Sequence, residues 1–243
     1  MTRIVNNCVA LVCLCLFWGQ SLRAADASHS EQIKWGNESV FNEEHNTLGL
    51  FSGVLGGQIV LAGGTSDDYS RWGRNAVCLS ENAGFALYED MLSKPLAYGA
   101  SITLSDGILC IGGRDSSQCY EDVFFVTMQQ GKLNVSEDWP PLPFPLSNAA
   151  GALLDNKVYL FGGRKSVSPS RLSDSFFVLD LSNKSRGWKE LPGYPGCVRE
   201  DAILVVQNNG VSPCLYLLGG QTETEEGLSS CLTDGYVYNP QLG

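Results

Sequence analysis

Histidine is close to absent from this chain: His29 and His45 are the two among 243 residues. There is no Cys-x-x-Cys pair, no clustered histidine and no EF-hand loop, so a zinc, transition-metal or calcium site has little support in the sequence. The Gly-x-Ser-x-Gly signature of a strained serine nucleophile is missing as well. Basic residues are few, with 16 Lys and Arg against 26 Asp and Glu, giving a formal net charge of −10 and an isoelectric point near 4.6. A surface of that sign argues against nucleic acid or an anionic membrane as partner. Beyond the first 25 residues no apolar run is long enough to span a bilayer. No stretch carries the spacing of an amphipathic helix either, which points to an all-β chain.

The N-terminus is of a different character. Residues 1–25 hold one early basic residue, Arg3, then an apolar run over residues 8–18, then small residues at Ala24, Ala25 and Ala27. That is the pattern of a secretory signal peptide, too short for a membrane span, with cleavage expected near Ala24 or Ala25. The expected product, residues 26–243, is periplasmic or secreted. Cys8, Cys13 and Cys15 leave with the leader, and six cysteines remain, at 78, 110, 119, 197, 214 and 231. An even number in an oxidising compartment permits disulfides, whose connectivity the sequence does not give. Cys110 and Cys214 fall inside strand patterns and read as buried free thiols. Asn37, Asn134 and Asn183 stand in N-glycosylation sequons.

What the chain has in quantity is glycine, and its placement sets the architecture. Four apolar strands end in a glycine pair: Ile59-Val60-Leu61-Ala62-Gly63-Gly64, Ile108-Leu109-Cys110-Ile111-Gly112-Gly113, Val158-Tyr159-Leu160-Phe161-Gly162-Gly163 and Leu215-Tyr216-Leu217-Leu218-Gly219-Gly220. The first glycines are spaced by 49, 50 and 57 residues, the period of a kelch-type β-propeller blade of four short strands. A strand buried on both faces between blades leaves little room for side chains near the central channel, which glycine satisfies. Tight turns precede three of the pairs, at Gly56-Gly57, Ser105-Asp106-Gly107 and Asp155-Asn156, where positive φ angles suit two-residue hairpins. Aromatic or β-branched strands follow at residues 123–126, 176–179 and 236–238, each after an aspartate: Asp122, Asp174 and Asp234. Trp139 and Trp188, each shortly before a Leu-Pro step, read as packing wedges between blades.

Several stretches narrow the family. Lys94-Pro95-Leu96-Ala97-Tyr98-Gly99-Ala100-Ser101, residues 142–152, residues 175–191 and residues 231–240 together resemble the N-acetylneuraminate epimerases, in the cyclically permuted branch of those sialic acid mutarotases. The resemblance runs from about Leu48 to Gly243. It implies a six-bladed kelch-type propeller of which four blade repeats are recognisable here, so that residues 26–243 are expected to be a partial copy. It implies isomerase activity on the anomers of N-acetylneuraminate, with no cofactor and no metal. The family's acid/base Glu follows a strand-ending glycine, with an Arg six residues on, and that segment falls beyond residue 243 in the permuted order. No catalytic residue is therefore assigned, and this chain by itself is expected to be inactive. The loop over residues 65–73 also lacks the Asn-Phe-Pro of many relatives.

Ligands of propellers sit at the channel mouth, where inner strands and their loops converge. Arg114 and Arg164 directly follow glycine pairs on successive blades, while Arg199 and Glu200 open the fourth inner strand. Three guanidiniums at one mouth suit a small anionic sugar, since Arg binds carboxylates bidentately. The competing reading pairs Arg114 and Arg164 with nearby acids such as Asp115, Glu121 or Asp174, and Arg199 with Glu200. Tyr98 and Asn148 open the second and third inner strands, placed either to contact a sugar or to prop adjacent blades. Mutarotation needs one proton-shuttling carboxylate and a group to orient the substrate, which is compatible with this inventory. The alternative is a kelch-repeat module that binds protein or glycan without catalysis. A copper oxidase of the galactose-oxidase type needs two histidine ligands within the blades, and His29 and His45 lie outside them.

Overall fold

The computed structural model describes residues 48–80, 84–224 and 226–242. The leader pattern, His29, His45 and Asn37 lie outside the described residues. Four antiparallel sheets follow one another as propeller blades. The first is β1 (Phe51–Leu55), β2 (Gln58–Ala62), β3 (Ala76–Ser80) and β4 (Gly84–Tyr88). The second is β5 (Ala100–Thr103), β6 (Ile108–Ile111), β7 (Val123–Gln129) and β8 (Lys132–Ser136). The third runs β9 (Ala150–Leu154) and β10 (Lys157–Phe161), a side hairpin of β11 (Arg164–Ser166) and β12 (Arg171–Leu172), then β13 (Phe176–Asp180) and β14 (Lys189–Leu191). The fourth pairs β15 (Ile203–Asn208), β16 (Pro213–Leu218) and β19 (Gly235–Tyr238), with a hairpin of β17 (Gln221–Glu223) and β18 (Ser229–Cys231) between. The described helical content is one short 3-10 segment, Leu181–Arg186, before β14.

The continuous apolar runs of the second strands have a geometric cause. Side chains alternate across a strand, so Ile108 and Cys110 pack toward the first blade while Leu109 and Ile111 pack toward the third. Val158 and Leu160 likewise face the second blade, and Tyr159 and Phe161 the fourth. The core is thus three layers between successive blades rather than one centre. Trp139 and Trp188 both join the layer between the second and third blades, Trp188 donating its indole N–H to the Pro140 carbonyl at 3.1 Å. Val54 and Ile59 on the first blade, and Ile203, Val205, Leu218 and Val237 on the fourth, are exposed. The six cysteines at 78, 110, 119, 197, 214 and 231 are unpaired, with Cys110 and Cys214 buried.

The glycine pairs prove to be joints between blades. The first glycine of each pair has a left-handed φ, and a Cβ there would lie 2.2 Å from the Leu96 carbonyl oxygen at Gly63, 2.2 Å from that of Leu146 at Gly112 and 2.5 Å from that of Arg199 at Gly162. The second glycine then donates its N–H to the same oxygen: Gly64 to Leu96, Gly113 to Leu146 and Gly163 to Arg199, each at 2.8 Å. The first three pairs therefore grip the segment leading into the next blade. Among the turns, Gly56-Gly57 and Asp155-Asn156 have the expected positive φ. The turn at 105–107 does not: Gly107 is there because the Phe125 ring lies 2.3 Å from where its Cβ would be.

Arg199 occupies the place held by Leu96 and Leu146 in the earlier blades, as the carbonyl grip shows, and like them it is buried, with 0% exposure. This corrects the expectation that it lines an open rim. Every nitrogen of its guanidinium is engaged: it donates to both Asp234 carboxylate oxygens at 2.8 and 2.9 Å, to the Gly219 carbonyl at 2.8 Å and to the Tyr194 hydroxyl at 2.8 Å. The rings of Tyr194 and Tyr236 flank it at 5.0 and 5.4 Å. A cation in a core position is tolerated where its nitrogens have partners. The hydrogen bond from Arg199 holds the Asp234 carboxyl below its ordinary 3.8.

Two outcomes follow from these joints. Gly131→Ala, at a left-handed φ in open space, is expected to cost about 1 kcal/mol, whereas Gly112→Ala must also displace the Leu146 carbonyl and is expected to cost about 3 kcal/mol or more. Equal midpoints in urea denaturation would contradict the joint. Arg199→Ala is expected to cost about 3 kcal/mol at neutral pH, a value tempered by the 39% exposure of the Asp234 side chain. Because the folded Asp234 titrates below the unfolded value, this contribution is present above pH 3.8 and fades as pH falls through the depressed folded value. The gap between the thermal melts of the two proteins should therefore narrow in acid, leaving the part due to the Gly219 and Tyr194 bonds and the ring contacts. A pH-independent gap would show that the ion pair contributes nothing.

Candidate functional site

The residue that opens each inner strand takes a left-handed backbone: Gly49 at φ 63°, Tyr98 at 61°, Asn148 at 55° and Asp201 at 53°. These four are strung together by hydrogen bonds across the blades. Tyr98 N–H donates to the Gly49 carbonyl at 2.8 Å, Asn148 to Tyr98 at 2.6 Å and Asp201 to Asn148 at 3.0 Å. The result is an arc around the channel end from which Tyr98, Asn148 and Asp201 present their side chains. A bulky residue such as tyrosine is rarely held at positive φ, and such strain marks places the surrounding fold over-determines.

The residues that follow the glycine pairs reach the same end by pairing with the residue just ahead of that arc. Arg114 exchanges backbone hydrogen bonds with Ala97 at 2.8 and 2.9 Å, and Arg164 with Ser147 at 2.7 and 2.9 Å. Arg114 and Tyr98 are thereby side by side, as are Arg164 and Asn148. Thr65 and Gln221 hold the equivalent places beside Leu48 and Glu200.

The two arginines are electrostatically different. Arg164 donates through Nε to Glu200 Oε2 at 2.9 Å, through Nη2 to Glu200 Oε1 and to Glu223 at 3.1 Å, and through Nη1 to Ser170. Its charge is offset by two carboxylates that are themselves mostly covered, with 12% and 29% of their side chains exposed. The partner of Glu200 is thus Arg164, not Arg199. Arg114 has no ion pair among the described residues. Its guanidinium lies over the rings of Tyr98 at 4.7 Å and Trp72 at 5.1 Å, and its buried Nε has no partner. Asp115, the expected counter-ion, is occupied elsewhere. Partial burial works against its charge, but bonds from the Tyr120 hydroxyl, Ser117 and Gln118 hold it down to about 2.

Sequence reasoning missed three members of this cluster. Tyr69, at φ 58°, stacks on Tyr98 with centroids 6.5 Å apart, and Trp72 meets Tyr98 edge-on at 6.3 Å. Burial, reinforced by the hydroxyl contact with Tyr69, keeps the Tyr98 phenol protonated well above its ordinary value. Both aromatics come from the loop after the first glycine pair, and nothing in their spacing ties them to Arg114. Asp201 was legible: it stands in register with Tyr98 and Asn148. It accepts from Asn148 Nδ2 at 2.9 Å, while Asn148 Oδ1 is buried and unpartnered. The Asp201 side chain is exposed, yet enough protein surrounds it that lost hydration raises its pKa. Glu200 adds to that rise, and Asn148, Arg164 and Arg114 oppose it. No group of three His, Cys, Asp or Glu among the described residues is placed to hold a metal ion. An apolar cavity of about 370 Å³ between the third and fourth blades shares no residue with this cluster.

Comparison with known proteins adds to this geometry. The family described as N-acetylneuraminate epimerase matches residues 139–243. The curated N-acetylneuraminate epimerase of Haemophilus influenzae (strain PittEE) is 31% identical over 105 residues, covering 43% of this chain and 25% of that protein. That of Yersinia pestis (strain Pestoides F) is 31% identical over 108 residues, covering 44% and 25%. A kelch domain-containing protein of Vibrio cholerae is 32% identical over 104 residues, covering 42% and 26%. The matched stretch thus spans about a quarter of the curated relatives' length. A solved structure, "Structure of YjhT", has a TM-score of 0.61 at 14% identity, covering 79% of this chain and 68% of that chain, and supports the fold alone. Residues 139–243 carry the N-acetylneuraminate epimerase family pattern, on a kelch-type β-propeller.

Proposed function

We propose that the channel end is a binding site for a sugar acid of the sialic acid class, and that the protein interconverts the anomers of that sugar without a cofactor. The observation that carries the reading is Arg114, a guanidinium with no ion pair among the described residues, held between Trp72 and Tyr98. A carboxylate is the natural partner for that group, and the aromatic wall of Tyr69, Trp72 and Tyr98 offers apolar faces to the C–H side of a pyranose ring. The match of residues 139–243 to the N-acetylneuraminate epimerases supports a sialic acid as that sugar. In a chain of net charge −10, one recessed cation admits a small anion while the outer surface repels polyanions. Arg164, held by Glu200 and Glu223, serves this reading as a buttress beside Asn148 and Asp201.

Export belongs to the same proposal and rests on the pattern of residues 1–25 alone. N-terminal sequencing of the protein from the extracytoplasmic fraction should begin near Ala25 or Asp26, and recovery of Met1 would refute it. For the ligand, Arg114→Ala should weaken binding of N-acetylneuraminate by about 1.5–3 kcal/mol, the scale of a charge-assisted hydrogen bond. Titration calorimetry measures it, with neutral N-acetylmannosamine as the comparison, which should bind weakly to both proteins. Unchanged affinity for the acid in Arg114→Ala would place the site elsewhere and favour the non-catalytic binding module.

A further inference from the structure

The same side-chain positions recur from blade to blade, and on the first and fourth blades one set of them is exposed. In the layer between the first two blades, Phe51, Val60 and Cys78 of the first meet Ile108, Cys110 and Phe124 of the second, all buried. Counted from the glycine pairs, the first of these sets recurs on the fourth blade as Ile203, Tyr216 and Val237. They form one patch, because Ile203 pairs with Leu218 and Tyr216 with both Val205 and Val237. That patch faces away from the third blade, since Leu215, Leu217, Tyr236 and Tyr238 take the alternate positions and pack toward it. The second set recurs on the first blade as Ile59, Leu61 and Val77, on the face turned away from the second blade.

Both recurrences are largely open. Ile203, Val205, Leu218 and Val237 are between 42% and 58% exposed, and Val54 and Ile59 on the first blade are 51% and 48% exposed. Neither face is charged: β1 to β4, β15, β16 and β19 contain no Asp, Glu, Lys or Arg, in a chain that is 17% charged. Contiguous apolar surface of this kind marks an interaction site. The fourth blade is also one strand short of the others. The first three sheets have four strands and this one has three among the described residues. The apolar cavity of about 370 Å³ beside it is bordered by β19 and by the loop of Pro192, Gly193, Tyr194 and Pro195.

We propose that the exposed face of the fourth blade is the docking surface for a second copy of this chain, which seats the exposed face of its first blade there, head to tail. Continuity with the interfaces inside the molecule identifies the occupant. The two open faces are the two halves of one such interface, and the layer between the first and second blades shows those halves fitting together. A copy seated in this way also brings the chain leading into its own β1 to the open edge of β19, just as β4, β8 and β14 each lead into the following blade. It thereby covers the strand edge and the cavity. Uncharged faces keep the mutual repulsion of two copies of net charge −10 away from the contact. Because the two faces differ, the contact is heterologous, and it closes into a ring or extends according to the rotation between copies. This inference is independent of the sugar-acid reading.

Sedimentation of the full 243-residue chain over a range of concentrations tests it. The parent should sediment above the mass of one copy, and more so as salt screens the repulsion between acidic copies. Ile59→Lys charges the first blade's face and Val237→Lys the fourth blade's, so each variant lacks one half of the contact in every copy. Each alone should self-associate about 100-fold more weakly or worse, the effect of burying an unpaired charge. Mixed, the two should form a complex of one copy of each and no larger species, through the faces left intact. Ser52→Arg and Gln207→Arg repeat the test at positions on the same faces that are already polar and exposed, should either lysine variant fail to fold. A parent that sediments as a single copy throughout would overturn the proposal. A single variant that associates like the parent, or a mixture that yields no complex, would overturn it as well.

Discussion

The hydrogen bond from the second glycine of each of the first three pairs to the carbonyl leading into the next blade is the constraint on which the remaining geometry depends. Gly64 to Leu96, Gly113 to Leu146 and Gly163 to Arg199 are the same bond repeated. Each sets how closely one blade follows another. Two residues past each gripped carbonyl lie Tyr98, Asn148 and Asp201, so the joints also place the arc that lines the channel end. One residue past each pair lies a side chain aimed at that arc. A backbone contact with no side chain of its own thus fixes both the packing of the blades and the position of Tyr98, Asn148 and Asp201.

Burial and function divide along this arrangement. Three apolar layers between blades supply the hydrophobic stabilisation, while Arg114, Arg164 and Arg199 stand at the joints and the channel end. There the arginines have three distinct settings. Arg199 has every guanidinium nitrogen engaged, Arg164 is neutralised by Glu200 and Glu223, and Arg114 is held by aromatic faces with no counter-ion among the described residues. Only the third setting leaves an electrostatic deficit that a ligand would fill. The raised pKa of Asp201 belongs to the same economy, since a buried network with all its partners would not keep a carboxylate at odds with its surroundings.

The fold was largely legible because its determinants are local. Glycine pairs, turn residues and apolar runs recur at a fixed period, and each has a backbone reason to be there. Gly107 was misread because its demand comes from Phe125, a neighbour across the sheet and not a turn partner. The site was half legible. Register alone places Tyr98, Asn148, Arg114 and Arg164 at one end of the channel, and the same register reaches Asp201. It does not reveal that Arg199 replaces a core leucine, because the compensation comes from Asp234, 35 residues away. Nor does it reveal that Trp72 meets Arg114 and Tyr69 stacks on Tyr98, since that loop carries no repeat signal.

The account's central claim is that the open guanidinium of Arg114, walled by aromatics, is where a sugar acid binds. Chemical-shift mapping of the isotope-labelled protein titrated with N-acetylneuraminate tests it most directly. The account predicts saturable shifts at the Arg114 Nε–H and the Trp72 indole N–H, extending to Asn148 and Asp201, with the backbone of Gly219 and Asp234 unmoved. Shifts centred instead on Tyr194, Tyr236 and the apolar cavity beside the fourth blade, with Arg114 and Trp72 silent, would contradict it.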